Sequence, residues 1–185
     1  INLTELADLK LAATSLVDEL SKANFGVVSF NDVGHLNLSI SSNHESVKQT
    51  IAGLSVPFNS DTHMESGMLY ALNEFIRGNN NISLPDYIII ITDGETNRCY
   101  DSVSGCKSVS TLISGLPGSL TSTTSATYSI DVVKGVTIDS ANEIDKRNIG
   151  IFTLGVGITP TYRDILKNNI STTPVYYNDV SDYAH

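Results

Sequence analysis

Apolar residues recur at spacings of three and four from Leu6 to Ala23 (Leu6, Leu9, Ala12, Ala13, Leu16, Val17, Leu20), which predicts an amphipathic helix with Thr4 or Asn2 as its cap. The period then changes. Residues 24–30 (Asn-Phe-Gly-Val-Val-Ser-Phe) read as a strand ended by Asn31-Asp32, and residues 35–41 alternate Leu36, Leu38 and Ile40 with polar positions, as a hairpin partner at a sheet edge does. Residues 43–54 predict a short helix with Val47, Ile51 and Leu54 inward, Asn43 as cap and Glu45 at its positive end. Residues 64–77 predict a longer one, burying Met68, Leu69, Leu72, Phe75 and Ile76 and ended by Asn79 to Asn81.

The strongest signal is the run Tyr87-Ile88-Ile89-Ile90-Ile91-Thr92-Asp93-Gly94-Glu95. Four successive isoleucines leave no polar face, so the pattern predicts a central strand of a parallel sheet covered on both sides. It ends in a carboxylate, Asp93, at the strand end where open α/β sheets hold their ligands. Downstream, residues 137–147 predict a helix capped by Asp139, residues 150–157 a second buried strand ending in glycine, and Pro160 opens a helix running to Leu166. Residues 175–177 predict a last strand.

This alternation defines the expected fold class: α/β, a doubly wound, mostly parallel sheet with one antiparallel edge strand and helices on both faces. Residues 96–129 interrupt it as a Ser/Thr-rich insertion with one helical turn around Val109 to Ile113. Its position beside Asp93 marks it for partner-specific contacts. No internal repeat or linker divides the chain, and its 185 residues read as a single domain.

Composition narrows the function. A formal charge of -9, with 11 Lys and Arg in all, argues against a nucleic-acid backbone as partner and suits a cation or a basic surface better. No apolar run reaches the length of a membrane span. Cys99 and Cys106 have no second pair to complete a zinc site, so a local disulfide in an oxidising compartment is the better use. Sequons begin at Asn2, Asn37, Asn81 and Asn169 and support an extracellular or cell-surface location weakly, being common by chance in such a composition.

Two polar loops fall where the ligand crevice of such a sheet belongs: Ser60-Asp61-Thr62-His63 before a helix, and Thr92-Asp93-Gly94-Glu95 after the central strand. A hydroxyl and a carboxylate converging there suit a hard divalent cation, which takes oxygen ligands and keeps several waters. His63 is expected on the rim rather than as a ligand, because hard cations prefer oxygen. His35, His44 and His185 read as surface residues.

The chain resembles the von Willebrand factor A domains, including the inserted domains of integrin α chains. The residues that carry the resemblance are Ile89-Ile90-Ile91-Thr92-Asp93-Gly94-Glu95, the Thr62-x-x-x-x-Gly67 spacing, Val27-Val28-Ser29-Phe30 and Ile149-Gly150-Ile151-Phe152-Thr153-Leu154-Gly155-Val156-Gly157. The resemblance implies a metal-ion-dependent adhesion site in which Thr62 and Asp93 are metal ligands, for Mg²⁺ or else Mn²⁺ or Ca²⁺. Asp61, His63, Glu95 and Asn97 would form the ligand-binding rim. The family's first strand and its Asp-x-Ser-x-Ser loop have no counterpart, since Ile1 already stands at the start of the helix that follows that loop. The nearest internal match, Asp179-Val180-Ser181-Asp182-Tyr183, lacks the last hydroxyl. Both ends are therefore expected to be trimmed, with another segment filling the missing position.

The implied function is an extracellular protein-binding module that captures an acidic group of a partner through the cation, without catalysis. An alternative is a structural component of a surface fibre or matrix with an incomplete metal site. A metal-assisted hydrolase using Asp93 is disfavoured, because no nucleophile–base pair or phosphate-cradling loop accompanies it.

Overall fold

The structure is a computed structural model that describes residues 3–55, 61–78, 85–102, 105–114, 116, 125–126 and 129–179. Its elements in chain order are α1 (Leu3–Glu19), β1 (Phe25–Phe30), β2 (Gly34–Ser41), α2 (His44–Gly53), α3 (Met64–Arg77), β3 (Asp86–Thr92), β4 (Cys99–Ser102), β5 (Gly105–Cys106), α4 (Val109–Ser114), β6 (Ser125–Ala126), α5 (Ile130–Asp145), β7 (Ile149–Gly155), α6 (Pro160–Ile165) and β8 (Tyr177–Asp179). A π-helical turn (Leu166–Ile170) extends α6, and a 3-10 turn (Pro174–Tyr176) leads into β8.

The strands form a doubly wound α/β arrangement. β3 pairs in parallel with β7, and β7 in parallel with β8, with Asp86 opposite Ile149 and Thr92 opposite Gly155. β1 and β2 form the antiparallel hairpin. Helix α3 ties the two parts together: it packs on β1 and β2, and its Met68, Leu69 and Leu72 share one core cluster with Ile88 and Ile90 of β3, against which Phe30 of β1 also packs. Among the described strands, β3 pairs only with β7, and β1 only with β2.

A second, smaller core joins α1 and α2 to β1 through Val17, Val27, Val47 and Ile51. Asn43 caps α2 as its residue type predicts, accepting the Ser46 N–H at 3.1 Å.

Several expectations need correction. β3 is not covered on both sides: Ile88 and Ile90 are buried, but Tyr87 and Ile89 remain 44% and 40% exposed, because α1 and α2 lie over β1. The exposed face carries an aromatic ladder in which Tyr87 meets Phe152 edge-on and Phe152 stacks on Tyr176 at 3.9 Å. Helix α1 ends at Glu19, and Leu20, counted as inward, is exposed. Helix α5 begins at Ile130, seven residues ahead of the expected start, and Asp139 lies inside it. Its buried stripe is Val133, Thr137, Ser140, Ala141 and Ile144. Two polar members hide that stripe from a hydrophobic pattern, although Thr137 satisfies its own hydroxyl on the Val133 carbonyl at 2.8 Å. At the C-terminal side, Pro174 sets Val175 and Tyr176 in the 3-10 turn, and β8 starts at Tyr177.

The 96–129 segment is more regular than expected where it is described. β4 pairs antiparallel with β5 and β6, α4 follows, and Cys99 and Cys106 form a disulfide. Sequons at Asn2 and Asn81 lie outside the described residues, as does the stretch from Val180 onward.

Candidate functional site

The C-terminal ends of β1 and β3 meet the same short loop. Asn31 at the end of β1 accepts the His63 N–H at 2.7 Å, and Asp32 Oδ1 accepts the Asp61 N–H at 2.8 Å. On the other side the Thr62 carbonyl accepts from three donors in the loop after β3: Asn97 N–H at 2.9 Å, Arg98 N–H at 3.3 Å and Thr96 Oγ1 at 3.2 Å. The Thr62 N–H in turn donates to Asn97 Oδ1 at 2.8 Å.

This mount brings the two expected ligand-bearing loops together. Thr62 Oγ1 lies 3.1 Å from the point where a Cβ on Gly94 would stand, so the hydroxyl abuts the Asp93-Gly94 turn. That turn is folded by Thr92, whose Oγ1 donates to the Gly94 carbonyl at 3.1 Å and accepts the Gly94 N–H at 3.3 Å. Thr62 and Asp93 are both half-buried.

The four expected rim residues sit differently from one another. Asp61 is half-exposed but ion-paired to Arg98, whose Nε and Nη2 both reach Asp61 Oδ2. Asn97 Nδ2 donates to Asp61 Oδ1 at 3.0 Å. Glu95 accepts from Thr159 Oγ1 at 2.7 Å and lies 3.5 Å from Lys134 Nζ, which ties the loop to the second turn of α5 and the cap of α6.

His63 is not on the rim. It has no exposed surface: Nδ1 donates to the Asp32 carbonyl at 3.0 Å, Nε2 lies 3.4 Å from Glu65 Oε2, and the ring packs on Tyr100. The physical reason is its place at the N-cap of α3, where the ring turns under the end of β1 and into the core.

Burial sets the electrostatics beneath the loops. It pushes the Tyr100 phenol well above the ordinary tyrosine range, and Tyr70 and Glu65 add to the shift against the opposing bond to Ser66. Burial likewise raises Tyr162, whose hydroxyl accepts the Thr96 N–H at 3.0 Å. Sequence reasoning missed Thr96, Arg98, Lys134 and Tyr162. Only Thr159-Pro160 carried a visible signal, a cap followed by proline at the first helical position, and Thr159 does cap α6.

The donor chemistry around Thr62 and Asp93 is hard oxygen, which fits a divalent cation of the Mg²⁺ type. The count is short: among the described residues no group of three or more His, Cys, Asp or Glu side chains could hold a metal ion. Asp179, considered as a substitute for a missing first-loop carboxylate, is buried and paired with Arg163 Nε at 2.6 Å.

A family model described as the von Willebrand factor type A domain matches residues 1–184. The chain belongs to that family. Solved A-type domains and related structures share its fold. The vWF domain of the type V pili tip protein Mfa5 from Porphyromonas gingivalis aligns with a TM-score of 0.72 at 12% identity, over 96% of this chain and 83% of that one. Proximal thread matrix protein 1 from the mussel byssus, in a structure described as having a zinc-occupied MIDAS motif, aligns with a TM-score of 0.64 at 17% identity, over 96% and 39%. BatB from Bacteroides thetaiotaomicron, a conserved hypothetical protein, aligns with a TM-score of 0.56 at 21% identity, over 83% and 57%. The A-type chain thus spans little more than half of BatB and well under half of the byssus protein. No curated protein matches the sequence. None of the three neighbours is named as an enzyme, and two belong to a pilus tip and a matrix.

Proposed function

We propose that this A-type domain is an extracellular or cell-surface adhesion module that binds a protein partner through a divalent cation, Mg²⁺ or else Mn²⁺ or Ca²⁺, and catalyses no reaction. The observation that carries the reading is the packing of Thr62 Oγ1 against the Asp93-Gly94 turn. That packing sets the loop bearing Thr62 against the turn bearing Asp93, at the carboxyl end of a parallel strand.

Thr62 would supply a neutral oxygen and Asp93 a charged one. A cation held there attracts an acidic oxygen of the partner. One charge from the protein leaves the ion electron-poor enough to take a further carboxylate, whereas a site with three carboxylates would be satisfied already. The remaining ligands would come from water, from the partner and from a further oxygen-bearing segment. The position between β1 and β3 suits such a segment, because both strands end at the 61–63 loop and neither is paired there among the described strands. Arg98, paired to Asp61, and Lys134, paired to Glu95, keep the rim close to neutral, which lowers repulsion of an acidic partner.

The test is capture of immobilised peptides that each carry a single exposed Asp or Glu. Binding should require Mg²⁺ or Mn²⁺, vanish with a chelator, and fall in Thr62→Ala and Asp93→Asn. Binding that persists in the chelator would refute the reading.

A second reading is favoured by the shortage of ligands among the described residues: a structural part of a surface fibre or matrix, with the cation site incomplete. It predicts assembly that is indifferent to chelators and to Asp93→Asn.

A further inference from the structure

We infer that Asn97 is the positioning residue of the cation site, holding the Thr62 hydroxyl at Asp93 without touching ion or partner itself. The inference rests on the cation reading above and assigns Asn97 and Asp61 a different task from lining the rim.

Asn97 is the only side chain that bonds both neighbours in the second loop among the described residues. Its Oδ1 accepts the Thr62 N–H at 2.8 Å, and its Nδ2 donates to Asp61 Oδ1 at 3.0 Å. The amide cannot be turned over. A backbone N–H can only donate and a carboxylate can only accept, so Oδ1 must face Thr62 and Nδ2 must face Asp61. Asp61 is fixed in its turn by the Arg98 fork and by its own N–H on Asp32. The backbone completes the mount: the Asn97 N–H donates to the Thr62 carbonyl at 2.9 Å, so residues 62 and 97 bond each other through both of Thr62's backbone groups.

The consequence is that Thr62 and Asp93 ride on one hydrogen-bonded body. The backbone that carries the Thr62 hydroxyl is set before any ion arrives, and binding needs no ordering of the 61–63 loop. Partners of this outer kind are commonly worth about 10- to 100-fold in metal affinity.

A charge swap separates positioning from simple electrostatics. Asn97→Asp keeps an oxygen on the Thr62 N–H but sets a second carboxylate oxygen against Asp61. It also adds a negative charge beside the cation. Electrostatics alone would tighten ion binding, whereas loss of position weakens it. In Asp61→Asn with Asn97→Asp the two residue types are exchanged: an amide N–H₂ again meets a carboxylate, and the net charge returns to that of the unaltered protein.

The experiment is titration of the full chain with Mn²⁺, following the free-ion signal by electron paramagnetic resonance, with metal-free melting curves and Thr62 amide exchange as controls for fold. Positioning predicts that Asn97→Asp weakens Mn²⁺ binding about tenfold or more, that the exchanged pair recovers most of it, and that Thr62 amide exchange rises and recovers in step. Equal or tighter Mn²⁺ binding by Asn97→Asp, with the unaltered protein binding and Asp93→Asn not binding, overturns the positioning role and leaves the cation reading standing. Failure of the unaltered protein to bind Mn²⁺ overturns both.

Discussion

His63 and Glu65 face each other inside the protein, with His63 Nε2 3.4 Å from Glu65 Oε2 and no exposed surface on either side chain. His63 Nδ1 meets the Asp32 carbonyl and must carry a hydrogen, which leaves Nε2 facing Glu65. Among the described residues Glu65 Oε1 has no hydrogen-bond partner. This pair lies at the first turn of α3, beside the loop that presents Thr62.

Removing one member should therefore hurt more than replacing the other by a side chain of the same shape. His63→Ala leaves the buried Glu65 side chain without its neighbour and the Asp32 carbonyl without its donor, and should lower unfolding free energy by about 2 kcal/mol. Glu65→Gln keeps a polar partner of the same shape for His63 Nε2, so its effect should stay within about 1 kcal/mol. Urea unfolding of both variants decides this. Equal losses would mean that the contact is packing rather than polar pairing.

Two glycines should respond in opposite directions to the same added methyl group. At Gly34 a Cβ would stand 2.8 Å from the Ser66 carbonyl oxygen and 2.7 Å from the Tyr70 ring, where α3 lies against the start of β2. Gly34→Ala should cost about 2 kcal/mol through overpacking. Gly135 sits within α5 with open space around its Cβ position, so Gly135→Ala should stabilise by about 0.8 kcal/mol. Paired thermal melts check both signs, and stabilisation by Gly34→Ala would contradict the close approach of α3 to β2.

The isoleucine run and the loop that ends it were legible because continuous β-branched residues and Thr-Asp-Gly are local signals, and the loop at residues 60–63 because a polar run with Thr62 opens a helical pattern. The order of the elements then placed both loops at one end of the sheet. What was hidden is tertiary. Nothing in the string Asp-Thr-His says that the ring of His63 turns inward while Thr62 stays half-exposed, because that depends on Asn31 and Asp32 about thirty residues earlier. The Asp61–Arg98 pair and the Asn97 bridge join residues more than thirty apart and leave no spacing to read. The early start of α5 was hidden because Thr137 and Ser140 stand at inward positions. The open face of β3 was misread for another reason: a hydrophobic run reports what could be buried, and Tyr87 and Ile89 lie beyond the reach of the α1 and α2 layer.

Alkaline pH should weaken the docking of β8. Tyr177 is raised to about 12, chiefly by burial and then by the Asp179 carboxylate, to which its hydroxyl donates at 3.1 Å. Below the ordinary tyrosine value near 10 the phenol is protonated in both folded and unfolded chains, and its contribution is fully present. Between there and about 12 the unfolded chain loses the proton first, so stability falls as pH rises. Tyr177→Phe should make that fall shallower without abolishing it, since Tyr100 and Tyr162 are raised as well. Urea midpoints taken across this range measure it, and an unchanged slope would contradict the assignment.

Whether Thr62 and Asp93 belong to a cation site is decided by Mn²⁺ titration of the full chain beside its Asp93→Asn variant. The unaltered protein should bind one Mn²⁺ that Mg²⁺ displaces, and Asp93→Asn should lose binding while melting at a similar temperature without metal. Indistinguishable titrations of the two proteins, whether both bind or neither does, would contradict the cation site.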